Sequence, residues 1–172
     1  ITFASKTVYW SLLAGGNWSS TAWALTSGGT PSSSYTPIPG DIAIIDDTGL
    51  TAGNTITLDA TYLGTFSNLM PTINCTRTNA WTHASGSTTP IFAGANITLT
   101  SATTMTGTGA WQTEGTGTLT IGCTFVPPLT IGDGTTATTT TLGSNLTASS
   151  NCTLTNGTLS LGTYTLSVNT FT

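Results

Sequence analysis

Apolar and hydroxyl residues alternate along most of this chain. Thr55-Ile56-Thr57-Leu58, Ile97-Thr98-Leu99-Thr100, Thr118-Leu119-Thr120-Ile121, Thr153-Leu154-Thr155 and Thr158-Leu159-Ser160-Leu161 place an apolar side chain at every second position. A period of two sends one face of a strand into a core and the other toward water. Threonine is β-branched and suits such a pleated surface. Gly, Asn and the pair Asp133-Gly134 separate the runs, as turns require. No long stretch carries the 3.6-residue period of an amphipathic helix. The pattern predicts an all-β chain of short strands.

The spacing of the runs suggests how they are arranged. Apolar pairs recur at Ile56/Leu58, Ile73/Cys75, Ile97/Leu99, Leu119/Ile121 and Leu159/Leu161, with Leu142 between the last two, in steps of 17, 24, 22, 23 and 17 residues. A period of roughly 20 residues matches one coil of a β-solenoid (parallel β-helix), where each coil is covered by its neighbours. The repeated Leu-Thr-Ile-Gly at 119–122 and 129–132 then forms two sides of one coil. An antiparallel β-sandwich or jelly roll with an exchanged terminal strand is the alternative, since it needs a strand every 8–12 residues or so. Before residue 40 the chain changes character: Phe3, Tyr9, Trp10, Trp18, Trp23 and Tyr35 gather there with Gly15-Gly16 and Gly28-Gly29. The expected organisation is a single domain with an aromatic N-terminal cap over 1–40 and a β-strand repeat region over 41–172.

Composition narrows the function. The 172 residues include 44 Thr, 17 Ser and 20 Gly, but only eight charged side chains: Lys6, Arg77, Asp41, Asp46, Asp47, Asp59, Asp133 and Glu114. Two cations cannot form the basic patch that nucleic acid requires. A hydrophobic fraction of 37% supports a core, so scarcity of charge here does not mean disorder. The longest apolar runs, such as Ile42-Ala43-Ile44-Ile45, are far too short to predict a membrane span. The chain opens on Ile and shows no signal peptide, so the expectation is either that a leader was removed or that the sequence starts inside a longer protein.

Catalytic parts are few. His83, in Trp81-Thr82-His83-Ala84-Ser85, has only Asp59 or Glu114 as an orienting carboxylate at unknown distance, and its expected role is a hydrogen-bonded strand or loop histidine. Asp46 and Asp47 point to opposite faces on a strand; on a turn they could join Asp41 around Ca²⁺, but capping is the expected role. No catalytic residue, metal ligand or cofactor is assigned, and the chain is not expected to be an enzyme. Cys75, Cys123 and Cys152 show no CxxC spacing and read either as buried thiols or as one disulfide with a spare thiol. Asn17, Asn74, Asn96, Asn145, Asn151 and Asn156 lie in Asn-x-Ser/Thr sequons and are candidate glycan acceptors. Pairs such as Thr55/Thr57, Thr98/Thr100, Thr118/Thr120 and Thr153/Thr155 could order water, though less regularly than an ice lattice requires.

Both ends carry a resemblance. Tyr9-Trp10, Gly15-Gly16-Asn17-Trp18-Ser19, Trp23, Thr26-Ser27-Gly28-Gly29 and Pro39-Gly40-Asp41-Ile42-Ala43-Ile44 resemble the opening of Thr/Gly-rich repeat proteins of phage tail fibres and bacterial surface fibrils or adhesins. The run from Gly157 to Val168, GTLSLGTYTLSV, is similar to their closing segment. The resemblance implies extracellular β-structure, generally solenoid, and fibre building or attachment rather than an activity.

The expectation is an extracellular structural subunit, at the cell surface or on a virion appendage, that polymerises head-to-tail with identical subunits and carries glycans. Candidate assembly positions are Ile1, Phe3, Val8 and Trp10 at one end and Tyr164, Leu166, Val168 and Phe171 at the other. The alternative is a carbohydrate- or surface-binding adhesin or tail-fibre module, with Trp18, Trp23, Trp81 and Trp111 as candidate sugar-stacking platforms.

Overall fold

A computed structural model describes residues 4–94 and 96–172; Ile1 and Phe3 lie outside this range. The chain winds in stacked parallel turns. Strands β1 (Thr7–Trp10) and β2 (Gly16–Asn17) open the first turn, and β3 (Trp23–Ala24) doubles back antiparallel against β1. The second turn holds β4 (Ile42–Ile45), β5 (Thr55–Leu58) and helix α1 (Ala60–Thr65). Three-sided turns follow: β6 (Thr72–Cys75), β7 (Trp81–Ser85) and β8 (Ile91–Phe92); then β9 (Ile97–Leu99), β10 (Thr103–Thr106) and β11 (Trp111–Thr113). The next two are β12 (Gly117–Ile121), β13 (Thr124–Phe125) and β14 (Leu129–Ile131), then β15 (Thr139–Leu142), β16 (Leu146–Ala148) and β17 (Cys152–Leu154). The last turn has β18 (Thr158–Ser160), β19 (Leu166–Ser167) and a bridge from Phe171 to Cys152. The fold is a β-solenoid of about five turns between a sealed start and a thin final coil.

Each turn exists because its neighbours cover it. On the first face Val8, Ala43, Ile73, Ile97, Leu119 and Leu142 stack in one continuous register and are all buried. Burying such a side chain contributes about 1.5–3 kcal/mol, and here the covering atoms come from the turns above and below. A second column on another face is Trp111, Leu129 and Cys152. The Leu-Thr-Ile-Gly repeats fall on β12 and β14, two sides of one turn. Two of the expected ladder steps are shifted: Ile56 stands on the second face opposite His83, and Leu159 pairs with Thr140 rather than Leu142.

The turns shorten along the rod. Thr7 pairs with Ile42, Ile42 with Thr72, Ile73 with Ile97, Ile97 with Leu119, Leu119 with Leu142 and Thr139 with Thr158, so the spacing falls from 35 and 30 residues to 24, 22, 23 and 19. The long early turns build the seal. Trp10, Trp18, Trp23 and Tyr62 pack with ring centroids 4.9–5.5 Å apart. The aromatic segment before residue 40 is therefore both first turn, through β1 and β2, and cover, through β3. Helix α1 is a local element that the alternating pattern conceals; its signal is Asp59, whose side chain accepts a hydrogen bond from the Tyr62 amide as an N-cap.

Corners are tied from turn to turn by short polar side chains. The Thr118 amide donates to Asn96 Oδ1 at 3.0 Å, and the Ile121 amide donates to Ser144 Oγ at 2.8 Å, which in turn donates to the Ile121 carbonyl. Thr100 Oγ1 donates to the Arg77 carbonyl, and Ser150 Oγ to the Val126 carbonyl. Buried Arg77 donates through Nη1 to the carbonyls of Asp46 and Leu50, at 2.7 and 2.6 Å, pinning one turn's loop to the next.

Gly107, at φ +114°, turns the chain so close to the previous coil that a Cβ would stand 1.8 Å from the Ser85 carbonyl oxygen. Gly107→Ala is expected to destabilise by about 2 kcal/mol or more. Thr140 is fully buried, and its hydroxyl has no partner among the described residues. Thr140→Val is expected to stabilise by about 1 kcal/mol, raising Tm by roughly 2–4 °C. Thermal melts of both variants check the pair, and an unchanged Gly107→Ala protein would contradict the close stacking.

Candidate functional site

Every carboxylate in the chain is bound up in local structure. Asp41 accepts from the Lys6 amide, from Lys6 Nζ and from the Ile38 amide. Asp46 accepts from the amides of Thr48 and Gly49, and Asp59 from those of Ser19 and Tyr62. Asp47 holds the turn at Thr78–Asn79; the Thr78 hydroxyl, then the Thr78 and Asn79 amides and the Arg77 charge, hold its pKa down at about 2. Asp133 accepts from Thr135 and Thr136, and Glu114 from Gln112 Nε2. Asp41, Asp46 and Asp47 do not converge on a point, and among the described residues no group of three His, Cys, Asp or Glu side chains could hold a metal ion.

His83 departs from its expected role. It is fully buried between Ile56 and Met105 of adjacent turns, and among the described residues neither ring nitrogen has a hydrogen-bond partner. Trp81 and Trp111 meet it edge-on at 5.9 and 5.3 Å. Burial pushes its pKa down to about 4, so it is a neutral core side chain. All three cysteines are free thiols; Cys75 and Cys152 are buried, and desolvation pushes the Cys123 and Cys152 thiols up to about 11.

The four tryptophans that were candidate sugar-stacking platforms are core residues. Trp18, Trp23, Trp81 and Trp111 are at most 1% exposed, and three of their indole N–H groups donate inside the fold, to Trp18 O, Thr103 Oγ1 and Ser85 Oγ. Their faces are occupied by neighbouring rings, and no indole face is free for a saccharide. The four Thr-x-Thr pairs do not lie on one common surface. Thr55/Thr57 lie on the second face, Thr98/Thr100 and Thr118/Thr120 on the first, and Thr153/Thr155 on the third. Of the sequon residues, Asn17, Asn96, Asn145 and Asn151 are exposed and Asn74 and Asn156 half-buried. Asn96 and Asn145 use Oδ1 to hold an amide of the following turn.

Two places depart from a regular stack. One is on the second face, where β10 pairs with β7 and β13 pairs with β16, but β10 and β13 do not pair with each other. A groove of about 420 Å³ lies there, between Thr103, Thr104 and Met105 on one side and Cys123, Thr124 and Val126 on the other. The other is the C-terminal end. No residue from 157 to 172 is buried. Leu154, Leu159, Leu161, Leu166, Val168 and Phe171 line an apolar hollow of about 440 Å³ there, with Phe171 50% and Leu161 39% exposed. Their counterparts in earlier turns are covered by the turn that follows; among the described residues none lies over these.

Of the expected assembly positions, Leu166, Val168 and Phe171 gather at this end, and Tyr164 stands exposed on the same coil. Val8 and Trp10 do not qualify: both are fully buried inside the first turn. Leu154, Leu159 and Leu161 complete the hollow, and the alternation of the closing segment was the signal that could have placed them there.

His83 gives the site region a measurable acid response. Its pKa is lower folded than unfolded, so the fold excludes a proton that the unfolded chain accepts below its ordinary value of 6.5. Stability is full above that value and falls as the pH drops toward 4. Between pH 7 and pH 4.5 the loss should be about 2–3 kcal/mol, read from denaturant midpoints. His83→Leu should flatten that slope. Asp47 and Asp133 act in a lower window, because their depressed pKa values withdraw stability only below their ordinary 3.8. Equal slopes in the two proteins would show that His83 is not the group responsible.

Set against family models, curated proteins and solved structures, the chain matched none of them.

Proposed function

We propose that this chain is a non-catalytic structural subunit of an extracellular fibre or appendage, a rod of stacked turns. The observation that carries the reading is the continuous parallel stack, in which Val8, Ala43, Ile73, Ile97, Leu119 and Leu142 form one buried column along a rod. The internal engagement of all six carboxylates supports a scaffold role. The hydroxyl- and amide-covered sides suit a solubilised rod, and the exposed sequons Asn17, Asn96, Asn145 and Asn151 are its glycan positions.

β3 covers β1, the turn at 17–20 satisfies the β2 edge through Ser20 Oγ, and α1 occupies the third side of the second turn. The groove between β10 and β13 favours a second reading, an adhesin that takes a saccharide or peptide along the side of the rod.

Antibodies raised against the exposed loop at 133–137 test the first reading by immunogold microscopy of the source cells or virions. Gold along surface filaments is the expected result. Gold confined to the cell interior would sink the reading.

A further inference from the structure

We propose that Asn156 is a self-modifying site: the main-chain nitrogen of Gly157 attacks its carboxamide, and the residue ends as aspartate or isoaspartate. The inference stands apart from the structural role proposed above and does not rest on it.

Sequence singles the residue out first. Of the ten asparagines, Asn156 alone is followed by glycine; the other nine precede residues with a side chain, such as Trp18, Ile97 and Leu146. A Cβ on the following residue crowds the approach of its nitrogen to the asparagine side chain, and glycine removes that obstacle. Glycine also reaches backbone conformations closed to other residues, and Gly157 stands at φ +100° in the bend between β17 and β18.

The fold leaves both reacting groups free. Asn54, Asn96, Asn145 and Asn169 commit their carboxamides to hydrogen bonds, whereas that of Asn156 makes none among the described residues. The Gly157 N–H has no acceptor among them either; the next amide, of Thr158, is the one that donates to the Thr138 carbonyl. Asn156 is half-buried and Gly157 exposed, so water reaches the pair.

The chemistry balances with water alone. The Gly157 nitrogen bonds to Asn156 Cγ, and its proton leaves with Nδ2 as ammonia. A cyclic succinimide remains. One water molecule then opens the ring at either carbonyl. Cleavage of the Cγ–N bond gives aspartate. Cleavage between the Asn156 carbonyl carbon and the same nitrogen gives isoaspartate, with the main chain rerouted through Cβ and Cγ.

The product adds to an acidic corner. Asn156 lies directly over Gly132, where a Cβ would meet the Asn156 carbonyl oxygen at 2.4 Å. Asp133 is the next residue along. Burial and then the Asp133 charge hold the Glu114 pKa above its ordinary value, so Glu114 of the preceding turn is within reach of that charge. From Gly134 to Thr172 the chain has no charged side chain, so conversion places the first one there. Older chains become more negative at this one corner.

Purified protein held at mildly alkaline pH in heavy-oxygen water is followed by intact mass, isoelectric focusing and peptide mapping after pepsin digestion. The expected result is one new acid per chain, at position 156, carrying one heavy oxygen. Its rate should lie within about tenfold of the rate in urea, because the fold leaves both groups open. Asn156→Gln should hold the charge constant. Asn79→Gln, at an exposed asparagine followed by Ala80, should convert as the parent does. An unchanged mass, an acid appearing first at another asparagine, or conversion only in urea would overturn the proposal. Mapping of the unaltered protein decides the matter even where the Gln variant misfolds.

Discussion

The structure depends on one constraint: an inward side chain in this fold is covered by the turn before it and the turn after it. A coil of about 20 residues encloses too little to bury its own apolar groups. Val8, Ala43, Ile73, Ile97, Leu119 and Leu142 form a core only as a column. Parallel pairing keeps that column in register, since a slip of one residue would turn every Leu and Ile outward and every Thr inward. The corner hydroxyls and carboxamides reinforce the same register. Ser144 both donates to and accepts from Ile121 of the preceding turn, which no longer side chain could do as compactly.

The same constraint makes the ends exceptional. At the start, the stack is closed with material foreign to the repeat: an antiparallel strand, a short helix and a cluster of large aromatic rings. At the other end no such closure exists in the described residues, and five of the apolar side chains facing the hollow belong to the final turn itself. Chemistry follows the same division. Six of the eight charged side chains lie in the first half of the chain, where they cap turns and hold loops, and none lies beyond Asp133.

Much of this was legible in the residues. Period-two alternation placed strands at Thr55–Leu58, Ile97–Leu99, Gly117–Ile121 and Thr158–Ser160, and the recurrence near 20 residues placed them in a solenoid. What the pattern could not carry was face assignment. Ile56 and Ile73 look like successive rungs, yet they stand on different sides because the second turn holds a helix and long loops. Tryptophans misled for a related reason. An aromatic residue in a Thr/Gly-rich chain reads equally as a binding platform or as filler, and only the narrow interior of the coil decides for filler. His83 gave no sign of being unpartnered, since its setting depends on Trp111, two strands of another turn away. The C-terminal hollow was half visible: Leu166, Val168 and Phe171 alternate in the sequence, but the loss of their cover is a property of the last turn's position.

The shortening of the turns, from 35 residues at the start to 19 at the end, also says something about coding length. Rod is cheap in sequence, since each new layer needs only about two dozen codons of Thr, Gly and an occasional Leu. A lid is not, because it requires a bespoke strand, helix and ring cluster that repeat nowhere else. Length and closure are thus encoded differently: the stacked layers draw on a few residue types, whereas the antiparallel strand, the helix and the ring cluster each need a segment of their own.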